Sequence, residues 1–156
     1  MKTKTNNEAR AGLPAGALFS VFRVQDKDGR GPFKPGFSST WVEDRDDHDN
    51  LVPWFVELGR VDLQMIAGMA GGTACRTLDQ LRRWFTPSEY KTLRRHGYQA
   101  VKLEAGRIIG ESGIQIFFER CRPLKDGATP VELYPENVQA HPPLGAGASV
   151  ETEVGL

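Results

Sequence analysis

The chain has 156 residues, of which 39% are hydrophobic and 26% charged, and these values fit a single globular domain with its own apolar core. Its 20 basic and 20 acidic side chains balance, which removes the simplest argument for binding nucleic acid or an anionic membrane surface. The sequence has no apolar run long enough to span a membrane and no apolar segment near its start that predicts a secretion signal. We therefore expect a cytoplasmic protein with reduced cysteines.

The two ends of the chain predict little folded structure. Residues 1–16 are polar and then rich in Gly and Pro, which is typical of a flexible arm. Residues 137–156 are rich in Pro, Gly and Ala, which is typical of a disordered tail. We expect one domain over residues 17–136.

Strands are predicted early in this domain. Residues 17–24 (ALFSVFRV) alternate as in a strand and place Arg23 on an otherwise apolar face. A loop dense in Gly, Pro and Asp follows, and residues 37–42 (FSSTWV) then predict a second strand. Three side chains of that segment are candidate ligand-binding residues: Ser38, Ser39 and Trp41.

Helices are predicted in the middle of the chain. A short helix around Trp54 ends at Gly59, and a second helix with inward apolar side chains is expected over residues 61–69. The segment 68–73 (GMAGGT) lacks the spacing of a phosphate-binding loop and predicts a flexible link. Capping boxes then predict two further helices, one that begins at Thr77 and one that begins at Thr86.

The last part of the domain predicts strands again. Residues 98–104 (YQAVKLE) and 114–121 (IQIFFERC) show strand alternation, while 106–113 predict a turn or a bulged link. Residues 131–134 predict a final short strand. Strands at both ends with helices clustered between them indicate the α+β class rather than an alternating β-α-β order.

Polar side chains set into apolar strands are the candidate functional residues. They are Arg23, Ser38 with Ser39, and Glu111 with Gln115 at the start of a late strand. An unpaired buried charge costs several kcal/mol, so such positions indicate either a satisfied polar network or a ligand cleft. An arginine fork suits a phosphate or carboxylate, and a carboxylate suits the oxocarbenium-like centre of a glycosidic bond.

Other chemistries lack support in the sequence. The three histidines come with no GxSxG turn and no HExxH spacing, so we predict neither a serine hydrolase nor a metallohydrolase. Cys75 and Cys121 have no metal-site spacing, and a disulfide between them stays open. A structural alternative for Arg23 is an ion pair with Asp26, Glu104 or Glu119.

Short pieces of the chain resemble the ADP-ribosyltransferase superfamily, whose small domains cleave NAD on a split mixed β-sheet. The pieces are VFRV (21–24), FSST (37–40), the pair Gly97-Tyr98 at a helix end, and GESG (110–113) followed by Gln115 and an apolar triplet. The resemblance covers about residues 17–124.

The resemblance implies a role for each candidate. Arg23 would bind phosphate or ribose of NAD, Ser38 or Ser39 would support the nicotinamide end, and an aromatic ring such as Trp41 would stack on the nicotinamide. Glu111 or Gln115 would take the position of the catalytic glutamate. Because Gln115 stands where a glutamate is usual, three possibilities stay open: an enzyme that uses Glu111 or Glu119, a degenerate NAD-binding domain, or a protein with no NAD site.

The resemblance implies an NAD-binding protein that transfers ADP-ribose to a macromolecular target such as a protein. The compact size, the loosely structured ends and the lack of a targeting signal fit a bacterial or phage effector or inhibitor. A different class of function is a non-enzymatic protein that binds a partner through an acidic loop and an arginine-rich helix pair. That pair carries Arg82, Arg83, Arg94 and Arg95. A third alternative is a relative of the same fold that handles an RNA 2′-phosphate.

Overall fold

The computed structural model describes residues 19–46 and 50–135, so the arm and tail predicted at 1–16 and 137–156 lie outside the described residues. The described chain forms β1 (Phe19–Gln25), α1 (Trp54–Glu57), β2 (Ala70–Ala74), α2 (Leu78–Trp84), α3 (Pro87–Arg95), β3 (Gln99–Ala105), β4 (Arg107–Glu111), β5 (Ile116–Arg120) and β6 (Thr129–Pro130). Two 3-10 turns, Ser38–Thr40 and Val61–Gln64, complete the described elements. The α+β class is confirmed.

The strands form two three-stranded sheets, in the orders β1-β3-β6 and β2-β5-β4. All the described pairings are antiparallel, so the prediction of a mixed sheet is wrong for the described residues. Short connections account for part of this, because β4 returns directly alongside β5 after a tight turn. One isolated bridge, between Phe22 and Cys75, joins β1 to the end of β2 through two 2.8 Å backbone hydrogen bonds.

Helices α2 and α3 begin at the predicted caps. The Thr86 hydroxyl accepts from the backbone N–H of Glu89 at 3.1 Å, and the Glu89 carboxylate accepts from the N–H of Thr86 at 2.9 Å. The Thr77 hydroxyl accepts from the N–H of Gln80 at 3.0 Å, which satisfies one of the free donors at the start of α2. These local hydrogen bonds explain why both helix starts were readable from the sequence.

The strand predicted over residues 37–42 is wrong, because Ser38–Thr40 form a 3-10 turn. The Ser38 hydroxyl accepts from the N–H of Lys34 at 2.9 Å and donates to the carbonyl of Lys34 at 3.1 Å. The Thr40 hydroxyl donates to the carbonyl of Phe37 at 2.6 Å. Local side-chain bonds of this kind compete with a strand ladder and here replace it.

The helix predicted over residues 61–69 is also wrong beyond its first turn. It ends at Gln64, and Met65 is already extended. Leu63, which was expected to point inward, is 73% exposed. The supposed link at 68–73 contributes most of β2, and the supposed turn at 106–113 contributes β4, whose register shifts between Ile108 and Gly110.

The core has two parts, one on each face of the β1–β3 pair. The first packs α2, α3 and Trp41 against residues such as Val24 and Ala100. The second packs Val21 and Leu103 against Ile116 and Phe118 of the other sheet. The last short strand is Thr129–Pro130, two residues before the segment where the sequence predicted it.

Candidate functional site

A cavity of about 620 Å³ lies beside the junction of the two sheets, within the usual size range of small-molecule sites. Strands β1, β2 and β5 line one part of it, the loops around residues 31–45 and 51–55 line a second part, and helices α2 and α3 contribute further lining residues. Four of the six residues singled out in the sequence line this cavity: Arg23, Ser38, Trp41 and Gln115. Ser39 and Glu111 do not.

Arg23 supplies a buried positive charge to the cavity. Its side chain lies on β1 and is only 7% exposed. Nη1 donates to the carbonyl of Gly29 at 3.3 Å, while Nε has no hydrogen-bond partner among the described residues. Burial lowers the pKa of Arg23 to about 10, and the negative charge of Asp26 acts in the opposite direction by raising it. The guanidinium therefore stays charged at neutral pH. None of the expected ion pairs forms at Arg23 among the described residues.

Two glycines give the Arg23 guanidinium its space. A Cβ added at Gly31 would lie 3.3 Å from Nη2, and a Cβ added at Gly72 would lie 3.3 Å from Nη1. Gly72 of β2 and Gly31 of the loop after β1 therefore both lie directly against the arginine. A larger residue at either of these two contacts would press on the charged group.

An aromatic wall faces the same cavity. Phe33 lies with its ring centroid 5.0 Å from that of Trp41 and 5.7 Å from that of Phe85, and it also packs edge-on to Trp84. Trp41 is 3% exposed, and its indole N–H donates to the carbonyl of Pro32 at 3.2 Å. Phe33 is 51% exposed, so it is the ring of this group with surface to offer a ligand. The sequence analysis missed Phe33, which follows a proline in the Gly-rich loop.

A second aromatic pair closes the opposite part of the cavity. Trp54 of α1 packs on Phe117 of β5 with ring centroids 4.8 Å apart. Phe55 follows Trp54 at 5.8 Å and is 56% exposed. Because Trp54 and Phe55 both belong to the short helix α1, the position of α1 determines the shape of the cavity beside Phe117.

Gln115 is buried and fully engaged through its amide nitrogen. It is 4% exposed, and Nε2 donates to the carbonyl of Val52 at 2.7 Å and to Glu57 Oε1 at 2.8 Å. The Ser112 hydroxyl donates to the same Glu57 oxygen at 2.6 Å. Gln115 thus connects β5 to the segment that carries Trp54.

The predicted glutamates lie outside the cavity lining. Glu111 is exposed and forms a bidentate ion pair with Arg76, whose hydrogen bonds hold the pKa of Glu111 below its usual range. Glu119 is fully buried and accepts from the N–H of Ile66 and from Arg107 Nε, both at 2.9 Å. Both carboxylates therefore have partners of their own.

Glu89 and Arg45 also line the cavity, and the only sequence signal for Glu89 is its place in the capping box that begins α3. Glu89 is 1% exposed and accepts from the N–H groups of Thr86 and Glu43. Arg45 Nη1 lies 3.8 Å from Glu89, and Nη2 donates to the carbonyl of Arg83 at 2.8 Å. This pair offsets its own charges, so Arg23 is the cation of the lining that has no carboxylate partner among the described residues.

Residues 19–46 and 50–135 contain no cluster of three or more His, Cys, Asp or Glu side chains able to hold a metal ion. None of the helices in these ranges is long and apolar enough to cross a bilayer. Cys75 and Cys121 are free thiols, the first buried and the second exposed.

The fold and the site define an α+β domain with an aromatic cavity that contains the buried Arg23 guanidinium, whose Nε has no hydrogen-bond partner among the described residues. Residues 17–127 match the family described as Bacteriophage T4 Y00F protein, and the chain belongs to that family. No curated protein and no solved structure matches the chain.

Proposed function

We propose that the protein binds a nucleotide in this cavity, with NAD as the first candidate, in the manner of an ADP-ribosyltransferase-like domain. The observation that carries the proposal is the buried Arg23 guanidinium, whose Nε has no partner among the described residues. A buried charge without full hydrogen bonding is costly, and an anionic oxygen at the guanidinium would offset that cost. A phosphate of the ligand is the natural group for this position.

The aromatic rings support the rest of the ligand. A phosphate alone would not need a wall of rings, whereas a nucleobase or a nicotinamide stacks on exposed aromatic faces. Phe33 offers such a face and lines the same cavity as Arg23. Anion and aromatic contacts in one enclosure therefore favour a nucleotide over an inorganic anion.

The geometry favours binding without cleavage of NAD. Gln115 can hold a hydroxyl, but it supplies neither a base nor a negative charge to a developing oxocarbenium ion. Glu111 pairs with Arg76 outside the lining, and Glu119 is buried in its pair with Arg107. Transfer of ADP-ribose to a macromolecular target is the enzymatic form of the proposal, and it requires Glu111 to break its ion pair with Arg76. Measuring whether nicotinamide is released from NAD distinguishes this enzymatic form from binding alone.

The family name supports a phage setting, and we propose an effector that acts on NAD in the cytoplasm of the infected cell. The alternative of a charged docking surface is weaker. Arg82 Nε donates to the carbonyl of Leu133 at 2.8 Å, and Arg83 Nε is buried. Only Arg94 and Arg95 of the four predicted arginines are exposed.

Calorimetric titration with NAD tests the proposal on the wild type, on Arg23→Ala and on Lys102→Ala. Lys102 is an exposed cation on the neighbouring strand and does not line the cavity, so it is the matched control. We expect micromolar to millimolar binding that Arg23→Ala weakens at least about tenfold and Lys102→Ala leaves unchanged, since a hydrogen bond to a charged group contributes about 1.5–3 kcal/mol. Absence of heat with the folded wild type, or equal binding by Arg23→Ala, would overturn the NAD site.

A further inference from the structure

The segment 51–58 covers part of the cavity and has few polar ties to the rest of the described chain. Leu51, Pro53, Trp54 and Phe55 line the cavity from this segment. The backbone hydrogen bonds recorded for it are those of the short helix itself, such as Glu57 N–H to Pro53 at 3.0 Å. No backbone bond joins the segment to either sheet among the described residues.

The polar contacts that the structure describes between this segment and the rest of the domain come from side chains just before β5. Gln115 Nε2 donates to both ends of the segment, to Val52 at 2.7 Å and to Glu57 at 2.8 Å. The Ser112 hydroxyl adds a 2.6 Å bond to Glu57. Because Gln115 is 4% exposed, the donor of both bonds is shielded from water, which strengthens them, although the acceptor Glu57 is exposed.

We propose that Gln115 is a positioning residue that latches segment 51–58 over the cavity, and that release of this latch admits the ligand. The inference deepens the proposed function, on which its ligand-gating part rests. Gln115 acts here through the segment and not by touching a reacting atom. The residue that stands at the glutamate position of the resemblance thus controls access.

Three features make opening of the segment possible. Helix α1 has four residues and no side-chain cap, so it contributes little stability of its own. Phe55 is 56% and Val56 64% exposed, which leaves Trp54 on Phe117 as the main aromatic contact with the sheet. Gly59 ends the segment with a φ of +73°, a conformation that glycine adopts without strain.

Hydrogen exchange of the ligand-free protein tests the latch. The amides of Val56, Glu57 and Leu58 are bonded within α1 and report its opening. We expect Gln115→Met to raise their exchange rate about tenfold or more, since loss of buried hydrogen bonds favours local opening. Glu57→Ala should raise their exchange rate as well and leave the core intact, because Glu57 is exposed.

Gln99→Met is the matched control. The amide nitrogen of Gln99 donates to Tyr90, Ala100 and Val131. The substitution therefore removes a comparable set of hydrogen bonds from a residue that does not line the main cavity. Exchange at 56–58 should be unchanged in this variant. Unchanged exchange at 56–58 in both Gln115→Met and Glu57→Ala would overturn the latch.

Stopped-flow mixing with NAD, followed by tryptophan fluorescence, tests the gating role. Faster association in Glu57→Ala than in the wild type supports it, and an equal rate contradicts it. The two proposals fail in distinguishable ways. If the protein binds no NAD but the variants exchange faster, the latch is supported and the NAD site is overturned. If the protein binds NAD but exchange is unchanged in the variants, the NAD site is supported and the latch is overturned.

Discussion

Among single residues, Arg23 carries the largest conflict between stability and function. Arg23 is 7% exposed, donates one 3.3 Å hydrogen bond from Nη1 to the carbonyl of Gly29, and has no hydrogen-bond partner for Nε among the described residues. A folded protein gains little from such a group unless something else satisfies it. The proposed anion would provide what the described chain does not.

This conflict predicts that Arg23→Met raises the free energy of unfolding of the ligand-free protein by about 1–2 kcal/mol while it abolishes NAD binding. Methionine keeps much of the apolar stem and removes the buried charge. Urea unfolding followed by fluorescence measures the first effect, and calorimetry measures the second. A loss of more than about 1 kcal/mol on the same scale would show that the guanidinium is part of the structural framework instead.

Among the elements, β2 depends on glycine for its role at the site. Gly72 pairs with Phe118 of β5 and leaves the space that Arg23 occupies. A Cβ there would lie 3.3 Å from both Arg23 Nη1 and Leu124 Cδ1, which is tight for both neighbours. The absent side chain is therefore as important for the cavity as the arginine itself.

We expect Gly72→Ala to displace the guanidinium and to weaken NAD binding several-fold, with a stability change of about 1 kcal/mol or less, because the contact is tight without being a severe overlap. Gly113→Ala is the matched control, since a Cβ at Gly113 would meet nothing within 4 Å. Calorimetry on both variants checks the prediction. Equal binding by Gly72→Ala and the wild type would show that Arg23 does not need its present position.

The elements that the sequence predicted well are those whose signals are local. Strands β1 and β5 are rich in Val, Ile and Phe, which favour strands, and α2 and α3 begin at threonine caps whose hydrogen bonds lie within three residues. Such local patterns agree with the final fold because they do not depend on contacts with distant residues. The coarse α+β class followed from the order of these elements.

The elements that the sequence missed depend on distant partners or on competing local bonds. Strand β2 has the sequence AGGTA, which shows no alternation, and it is a strand because β5 pairs along its whole length. Segment 37–42 alternates, yet Ser38 closes a turn on Lys34. Hydrophobic period alone could not separate these two cases.

The candidate site shows the same division. Arg23 and Gln115 were found because each interrupts an apolar strand, and the fold brings both to one cavity. Phe33 lies in an irregular loop, where no periodicity marks it, and Arg45 follows from tertiary contacts alone. Ser39 and Glu111 share local patterns with their neighbours but lie outside the lining.

For the whole molecule, the two sheets pack through a shared apolar core and are also joined by the described backbone bridge between Phe22 and Cys75, and burial at that bridge makes stability sensitive to alkaline pH. Cys75 forms the bridge with Phe22 and is 2% exposed. Burial raises the pKa of the Cys75 thiol from 9.0 to about 12. Burial also raises the pKa of Tyr134, from 10.0 to about 12.

The sign of the effect follows from the protons that each state holds. Between pH 9 and 12 the unfolded chain loses the Cys75 proton while the folded chain keeps it, so the free energy of unfolding falls as pH rises. Tyr134 adds a fall that begins near pH 10. Arg23 acts in the opposite direction, because its folded pKa of about 10 lies below its ordinary value of 12.5. Cys75 has the lowest of these unfolded-state pKa values, so it contributes most between pH 9 and 10, where the smaller effects of Tyr134 and Arg23 oppose each other.

We expect the wild type to lose stability across that interval with a slope that approaches about 1.4 kcal/mol per pH unit, the value for one proton. Cys75→Ala should have a smaller slope, whatever the cost of the small cavity to its absolute stability. Cys121→Ala, at the exposed thiol, is the matched control for loss of a cysteine. Urea unfolding at several pH values measures the slopes. Equal slopes for the wild type and Cys75→Ala would mean that the junction opens to solvent before the chain unfolds, so that the two sheets separate as independent units.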